Sequence, residues 1–286
     1  LAYNPCTKEI KYNALKPMED VPAGLDQGDC YAEYLYWDDG AQSALDGPQM
    51  GWRQGGGNAG ANGHDHKRVH IGCGAGQYQA DGTVGANTSD ASTGRQAQEA
   101  VAIGWEAGHI GQQRGAVAVG FETGEGVQGE RAVAVGYQSG GTAQGNQSIA
   151  IGYQSGRTSQ GVDSVAIGTN AGYLNQGLAG GGQGSAIAIG NLAGSEDQHP
   201  FTVAIGYLTG RYDQGEWAVA LGYNAALGEN GVPAGGQGEY AIAVGYEAGK
   251  FRQGDWAIAL GYQAGLGVTG VSGQGTSAIA IGLECG

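Results

Sequence analysis

Hydrophobic and polar positions alternate in a short unit that recurs through most of the chain. In a typical copy, residues 132–136 read AVAVG and are followed by an aromatic residue, a polar stretch and Gln144-Gly145. The apolar run returns at a strict step of sixteen over residues 101–165, and later steps of sixteen alternate with steps of twenty-one to twenty-three. A degenerate copy at Val69 lies two periods before the regular series. About twelve coils therefore fill residues 69–286.

The unit is too short for a strand and a crossover helix, but it accommodates two short strands and two tight turns. Its Val- and Ile-rich run, bounded by glycine turns, predicts a short β-strand. Stacked coils of this kind form an all-β parallel β-solenoid with a spacing of about 4.8 Å between coils. Equivalent residues then stack in ladders, which places Gln144 between Gln128 and Gln160.

Both faces of the predicted strand are apolar. Val133 and Val135 point to one side and Ala132 and Ala134 to the other, because side chains alternate across a strand. The Ala row suits a narrow interior, so the Val/Ile row needs a partner surface. The polar second strand, such as residues 157–160, is assigned to the solvent side. We therefore expect the solenoids to associate side by side through the Val/Ile strands.

These repeats resemble two groups of surface proteins. Residues 164–172, SVAIGTNAG, are similar to the head repeat of trimeric autotransporter adhesins, a left-handed parallel β-roll in which three chains pack together. The sixteen-residue form with Gln-Gly is similar to repeats in surface proteins of large DNA viruses of algae and protists, where a leader like residues 1–5 and 34–37 precedes the repeats. The resemblance covers roughly three quarters of the chain and implies a left-handed β-roll, a homotrimer and an extracellular or virion-surface location. The coil of sixteen residues and three insertions depart from the shorter adhesin unit.

Composition and charge limit the kinds of molecule that this chain is expected to bind. The sixty glycines among 286 residues fall at fixed phases of the repeat, which favours an ordered chain over low complexity. A net charge of −14 argues against nucleic acid or an anionic membrane as a partner. No apolar segment approaches the eighteen residues of a transmembrane helix, so we expect no membrane insertion.

The first 68 residues form a separate region in this interpretation. They hold most of the prolines and an irregular pattern with a loosely alternating strand from Tyr31 to Trp37. We interpret residues 1–68 as a small β-rich cap or attachment module and residues 69–286 as the solenoid. The chain begins at Leu1 without a signal sequence, which suggests a processed product or a fragment.

Two features of the repeat are candidates for contact. Gly-rich inserts at residues 178–183, 229–236 and 267–273 must bulge outward, either as a binding face or as neutral decoration. Acidic-aromatic pairs precede three late strands, with the aromatic residues Trp217, Tyr240 and Trp256. This stripe is either a contact surface for sugar rings or a neighbouring rod, or a packing ladder within the solenoid.

Candidate metal and modification sites are few. His64, His66 and His70 have a spacing that places imidazoles on one side of a strand, although a solvated basic-aromatic patch is the favoured interpretation. Asn87 and Asn146 begin glycosylation sequons.

Cys6, Cys30, Cys73 and Cys285 are disulfide candidates in an exported chain. Cys73 and Cys285 lie about 50 Å apart in a straight solenoid, whereas a disulfide needs Cα atoms about 5.5 Å apart. Because the last residues are a full repeat without a cap, we expect either a cut end or an end that docks onto the next molecule, with Cys285 available to link subunits.

No catalytic residue, metal or cofactor site is assigned from motifs, because neither a nucleophile elbow nor a phosphate-binding loop is present. The sequence favours a non-enzymatic structural or adhesive protein, a rigid surface fibre that binds itself, as a trimer or an end-to-end polymer. The alternative is a tailspike-like protein that binds or depolymerises host carbohydrate. An ice-binding solenoid is disfavoured, because no regular Thr-x-Thr array occurs.

Overall fold

The structure, a computed structural model, is all-β over the residues it describes. No helix occurs among them. The described residues are 2–4, 9–11, 34–38, 51–55, 69–71, 75–76, 97, 99–178, 184–232, 235–270 and 273–286.

The chain divides into two compact units, Leu1–Gly57 and Asn58–Gly286. The described residues of the first unit form two antiparallel strand pairs: β1 (Ala2–Asn4) with β2 (Glu9–Lys11), and β3 (Tyr34–Asp38) with β4 (Gly51–Gly55). The strand expected from Tyr31 to Trp37 is thus observed as β3, three residues later at its start.

The second unit is a parallel β-solenoid built from two sheets. The first, which we call the Val/Ile sheet, has twelve strands in chain order. They are β5 (Val69–Ile71), β6 (Val101–Ile103), β7 (Val117–Val119), β9 (Val133–Val135), β11 (Ile149–Ile151), β13 (Val165–Ile167), β15 (Ile187–Ile189), β17 (Val203–Ile205), β19 (Val219–Leu221), β20 (Ile242–Val244), β21 (Ile258–Leu260) and β22 (Ile279–Ile281).

The second sheet of the solenoid, the Gln sheet, has six parallel strands. They are β8 (Val127–Gln128), β10 (Ala143–Gln144), β12 (Thr158–Gln160), β14 (Leu174–Gln176), β16 (Glu196–Gln198) and β18 (Tyr212–Gln214). Single bridges continue it through Gln112 at one end and through Gln237 and Gln253 at the other.

Stacking is in register, like residue on like residue. Ile149 pairs with Val133 on one side and Val165 on the other, and Gln144 lies between Gln128 and Gln160. The three longer steps keep this register, because the strand pairs on either side of them still align, as Val165 does with Ile187. The parallel solenoid predicted from the period is confirmed.

The first strand of the Val/Ile sheet is the degenerate copy at Val69. Val69 pairs directly with Val101, although two periods of the repeat separate them in the sequence. Strand pairing thus defines the neighbouring coil here, which a count of residues does not.

The interior of the solenoid is narrow and filled by small side chains. Ala132 and Ala134 are fully buried, whereas Val133 and Val135 are half-buried on the outer face, as predicted. The buried hydrophobic residues that the structure describes are all alanines. A core of this kind brings the two sheets together closely enough for one polar side chain to bridge them.

Glutamine supplies that bridge, which corrects the assignment of the second strand to the solvent side. Its last residue points inward: Gln128, Gln176 and Gln214 are fully buried. In each such coil the side-chain amide Nε2 donates to the main-chain oxygen of the first residue of the strand in the Val/Ile sheet, for example from Gln144 to Val133 at 2.9 Å. The remainder of the second strand is half-buried or exposed.

Glycine closes each coil after the Val/Ile strand. Gly136 has φ of 131°, a region open to almost no other residue, and a Cβ there would overlap the carbonyl oxygen of Gly152 in the next coil. The same clash recurs at the equivalent glycine of successive coils, which explains why each unit has glycine directly after the Val/Ile strand.

Candidate functional site: the outer face of the Val/Ile sheet

The outer face of the Val/Ile sheet presents apolar residues along successive described coils. Its two outward rows are the first and third residues of each strand, which are half-buried or exposed along the sheet. Ile205 and Leu260 retain 38% and 42% of their accessible surface. The first and third residues of these strands are therefore only partly covered by the described residues of the chain.

One aromatic column lies beside this face, two residues before the start of each strand. We call it the entry column. It holds Phe201, Trp217, Tyr240 and Trp256 on four consecutive coils, with ring centroids 4.2, 6.4 and 4.2 Å apart and nearly parallel planes. In other described coils the same position is Glu99, Gly115, Arg131, Gln147, Asp163, Ser185 or Ser277.

A second aromatic column, the exit column, lies two residues after the end of each strand. Tyr207, Tyr223, Tyr246 and Tyr262 stack with centroids 5.0 to 5.2 Å apart. A separate stack in earlier coils joins Phe121, Tyr137 and Tyr153 at 5.3 and 5.1 Å. This column was not predicted from the sequence, although the aromatic residue directly after the glycine of most units was the available signal.

The geometry of the stacks limits what they can bind. Each ring inside a stack has a neighbouring ring on both sides, with centroids 4.2 to 6.4 Å apart, so its faces are less accessible than the outer face of a terminal ring. Sugar rings bind aromatic side chains through the ring face, and only a terminal ring of a stack offers one. Trp256, which ends the entry column and is 59% exposed, is such a ring. The arrangement therefore favours a packing ladder with exposed edges over a stripe of sugar platforms.

The backbone holds the entry column in place. Trp217, Tyr240 and Trp256 all have left-handed φ values of 55° to 61°, which cost a bulky residue about 1–2 kcal/mol. Hydrogen bonds between coils offset this cost: the Trp256 amide donates to the Glu239 oxygen at 2.9 Å. Arg131 and Gln147 have the same conformation, so the position is defined by the coil and not by the aromatic residue.

Carboxylates line the outer edge of the entry column. Glu216, Glu239 and Asp255 lie on consecutive coils, each directly before an aromatic residue. Asp255 accepts a hydrogen bond from the Glu239 amide at 3.0 Å. None of the three belongs to an ion pair between described residues. The apolar face is therefore bordered by negative charge on this side.

A polar network lies beside the exit column. Burial raises the pKa of Glu247, but hydrogen bonds donated by Lys250, Gln263 and Asn224 outweigh this effect and lower that pKa below its ordinary value. The Lys250 ammonium lies 2.7 Å from the carboxylate. The charge of Glu247, followed by desolvation, raises the pKa of Tyr246.

Most of the other predicted site residues lie outside the described part of the chain. This applies to His64, His66, Cys6, Cys30, Cys73 and Asn87, and to the side chain of His70, whose backbone is in β5. Among the residues that are described, no group of three or more His, Cys, Asp or Glu side chains is arranged to hold a metal ion. Cys285 is half-buried and forms no disulfide with a described residue.

Asn146 is exposed and has a structural contact. Its side-chain oxygen accepts a hydrogen bond from the Glu130 amide of the preceding coil at 2.9 Å. Asp255 makes the equivalent bond to Glu239, so this position stabilises neighbouring coils. Ser148 of the same sequon is buried and donates to the Gly145 oxygen.

The comparison with known families identifies the repeat. Residues 128–155 and 158–171 match the YadA head domain repeat. These two copies span well under half of the chain, and they coincide with regular coils of the solenoid. No curated protein and no solved structure gives a significant match.

The match and the fold agree with the resemblance to trimeric autotransporter adhesin heads. Together they indicate an adhesin-like structural protein and suggest surface exposure. Among the described residues, no helix is long and apolar enough to cross a membrane.

Proposed function

We propose that this chain is a non-enzymatic structural and adhesive rod that assembles as a trimer through the outer face of its Val/Ile sheet and is displayed on a virion or cell surface. The observation that carries the proposal is a solenoid sheet with apolar residues on both faces, of which the Ala face is fully buried and the Val/Ile face is only half-buried or exposed. The likeness to YadA head repeats supports the trimer as the oligomeric state.

The size of the exposed surface supports self-association. Eight aromatic residues of the entry and exit columns, from Phe201 to Tyr262, are each 41% to 59% exposed. Since an aromatic side chain offers about 150–250 Å², these residues alone present roughly 700 Å². A stable interface buries about that area per partner, and the largest apolar patch on a typical monomer is about 300–600 Å².

End-to-end assembly is the second part of the proposal. Every pair of neighbouring coils uses the same parallel hydrogen bonds, so the edge of any coil complements the edge of another. An exposed edge of this kind invites a further chain. Filaments with an axial repeat near the length of one solenoid, seen by electron microscopy, are the expected form; rods of a single solenoid length would reject this part.

Attachment to host glycans is the third part. Because neighbouring rings limit access to the ring faces within the stacks, we expect binding through the polar loops rather than through ring stacking. A glycan array with the assembled protein tests it. Binding that survives loss of Trp217 and Tyr240 is expected, whereas binding that depends on them would contradict this mode.

Lysine substitutions test the trimer. Ile205→Lys with Leu260→Lys places two charges on the outer face at positions exposed enough for the fold to tolerate them. We expect sedimentation velocity to show a trimer for the unchanged protein and a monomer for this variant. The matched control, Val127→Lys with Leu174→Lys, places the same charges on the Gln sheet and is expected to remain trimeric. A monomeric unchanged protein, or equal dissociation of both variants, would contradict the proposal.

A further inference from the structure

The Val/Ile rows cannot by themselves align two copies of this chain along the rod. Every coil presents the same pair of outward Val, Ile or Leu residues, and neighbouring coils are about 4.8 Å apart. Sliding one copy past another by a whole coil replaces each apolar contact by an equivalent one. Weakly specified register of this kind leads to mixed pairings.

The aromatic columns break this equivalence. The coils of β17, β19, β20 and β21 carry an aromatic residue in both the entry and the exit column. The two coils before them carry polar residues at both positions, Asp163 with Thr169 and Ser185 with Asn191, and the coil after them carries Ser277 with Leu283. Earlier coils carry aromatic residues in the exit column alone.

We propose that these four coils set the axial register between parallel copies of this chain, with a second copy as the occupant of the aromatic columns. The proposal rests on the proposed function, because it deepens the self-association of the Val/Ile sheet. It holds whether an entry column faces the entry or the exit column of the neighbouring copy, since both columns are aromatic on the same four coils.

A slip by one coil has a definite consequence. It brings Trp256 or Tyr262 of one copy opposite Ser277 or Leu283, and Phe201 of the other copy opposite Ser185 or Asn191. At each end of the set of four coils, one coil with two aromatic residues then has no such coil opposite it in the other copy. The Val/Ile contacts are unchanged by the slip. Only the contacts of the four coils with aromatic residues in both columns distinguish the aligned arrangement from the slipped one.

The alternative occupant, a polysaccharide laid along the stripe, fits less well. The ring faces that would stack on sugars are turned toward neighbouring rings inside the column, with interplanar angles of 14° or less. Ring edges and exposed hydroxyls suit close packing against the same kind of edge on a second copy.

Replacing the entry column with serine tests the inference on the full chain. The variant Phe201→Ser, Trp217→Ser, Tyr240→Ser, Trp256→Ser takes the residue that the chain itself uses at Ser185 and Ser277, the latter with φ of 58°. The matched control, Tyr173→Ser, Tyr212→Ser, Phe251→Ser, removes aromatic residues from the connection and strand region of the Gln sheet. Circular dichroism checks that both fold.

Cryo-electron microscopy of the assemblies gives the register directly. We expect aligned copies in the unchanged protein and the control, and copies offset by multiples of about 4.8 Å in the entry-column variant, which remains associated. Aligned copies in that variant would overturn the register proposal and leave the trimer intact. Dissociation of that variant alone would also overturn it, because the columns would then supply affinity rather than register. A monomeric unchanged protein would overturn both proposals.

Discussion

Single residues with left-handed or glycine-only backbone conformations define the coil. Gly136 shows the constraint most clearly, because both its φ of 131° and the neighbouring carbonyl of Gly152 exclude a side chain. The entry column shows the opposite case, in which Trp217 and Arg131 occupy the same left-handed position. Coil geometry therefore determines glycine at one position and leaves the residue type open at the other.

We expect Gly136→Ala to destabilise the solenoid by about 3 kcal/mol, because a Cβ is strained there and displaces the next coil. Thermal unfolding followed by circular dichroism measures the loss. Gly275→Ala is the control, since a Cβ at Gly275 meets no atom within 4 Å, and its unfolding should be nearly unchanged. Equal effects at the two positions would show that inter-coil contact does not determine the glycine.

A pH-dependent contribution comes from Glu247. Its pKa is lowered in the folded chain by Lys250, Gln263 and Asn224, so its stabilisation is present above the ordinary pKa of 4.5 and is lost as the pH falls through the lower folded value. We expect Glu247→Gln to cost about 1 kcal/mol at neutral pH and the difference to vanish in acid. Unfolding of both proteins over a pH series measures it; a difference that grows below pH 4.5 would contradict the assignment.

At the scale of elements, the glutamine ladder joins the two sheets. Gln214 Nε2 donates to the Val203 oxygen at 3.0 Å and to Gln237 Oε1 at 3.1 Å, inside a core that otherwise contains small side chains. Without the Gln214 side-chain amide, the main-chain oxygen of Val203 loses this hydrogen-bond donor.

We expect Gln214→Leu to destabilise the solenoid by about 2 kcal/mol, the cost of leaving buried polar groups unpaired. Gln154→Leu is the matched control: that amide donates only to the partly buried Gln138 side chain, at 2.7 Å, and should cost about 0.5 kcal/mol. Denaturant unfolding compares the two. A Gln214 variant as stable as the control would mean that the ladder does not hold the sheets together.

The strands of the Val/Ile sheet were predictable from sequence, and the burial of glutamine was not. The period of sixteen residues specifies which residues stack, and the alternation of Ala with Val or Ile specifies which face is inside. Gln144 lies in a polar segment, and only the narrow gap between the sheets makes its inward orientation favourable. The direct pairing of Val69 with Val101 was likewise not evident from the spacing of residues, because two periods of the repeat separate them.

The candidate site was predictable in part. Trp217, Tyr240 and Trp256 were identified as a stripe because the acidic-aromatic pair recurs, whereas Phe201 follows Pro200 and lacks the pair. Whether ring faces or ring edges reach the solvent depends on the side-chain conformations, which the spacing of residues does not define.

For the whole molecule, charge opposes the association that the apolar face favours. Each chain carries a net charge of −14, and aligned copies bring their carboxylates close together. Because salt screens this repulsion, with a Debye length that falls from about 30 Å at 0.01 M to about 3 Å at 1 M, we expect the trimer to become tighter over that range. Sedimentation equilibrium measures the trend, and weaker association at high salt would indicate attraction between charges instead.

The central claim is that the outer face of the Val/Ile sheet is where copies of this chain meet. A three-dimensional reconstruction of the assembled protein in solution tests it most directly. We predict three parallel solenoids with Val219, Leu221 and their equivalents turned toward the common axis. A single solenoid with this sheet against solvent, or an assembly joined through the Gln sheet, would contradict the account.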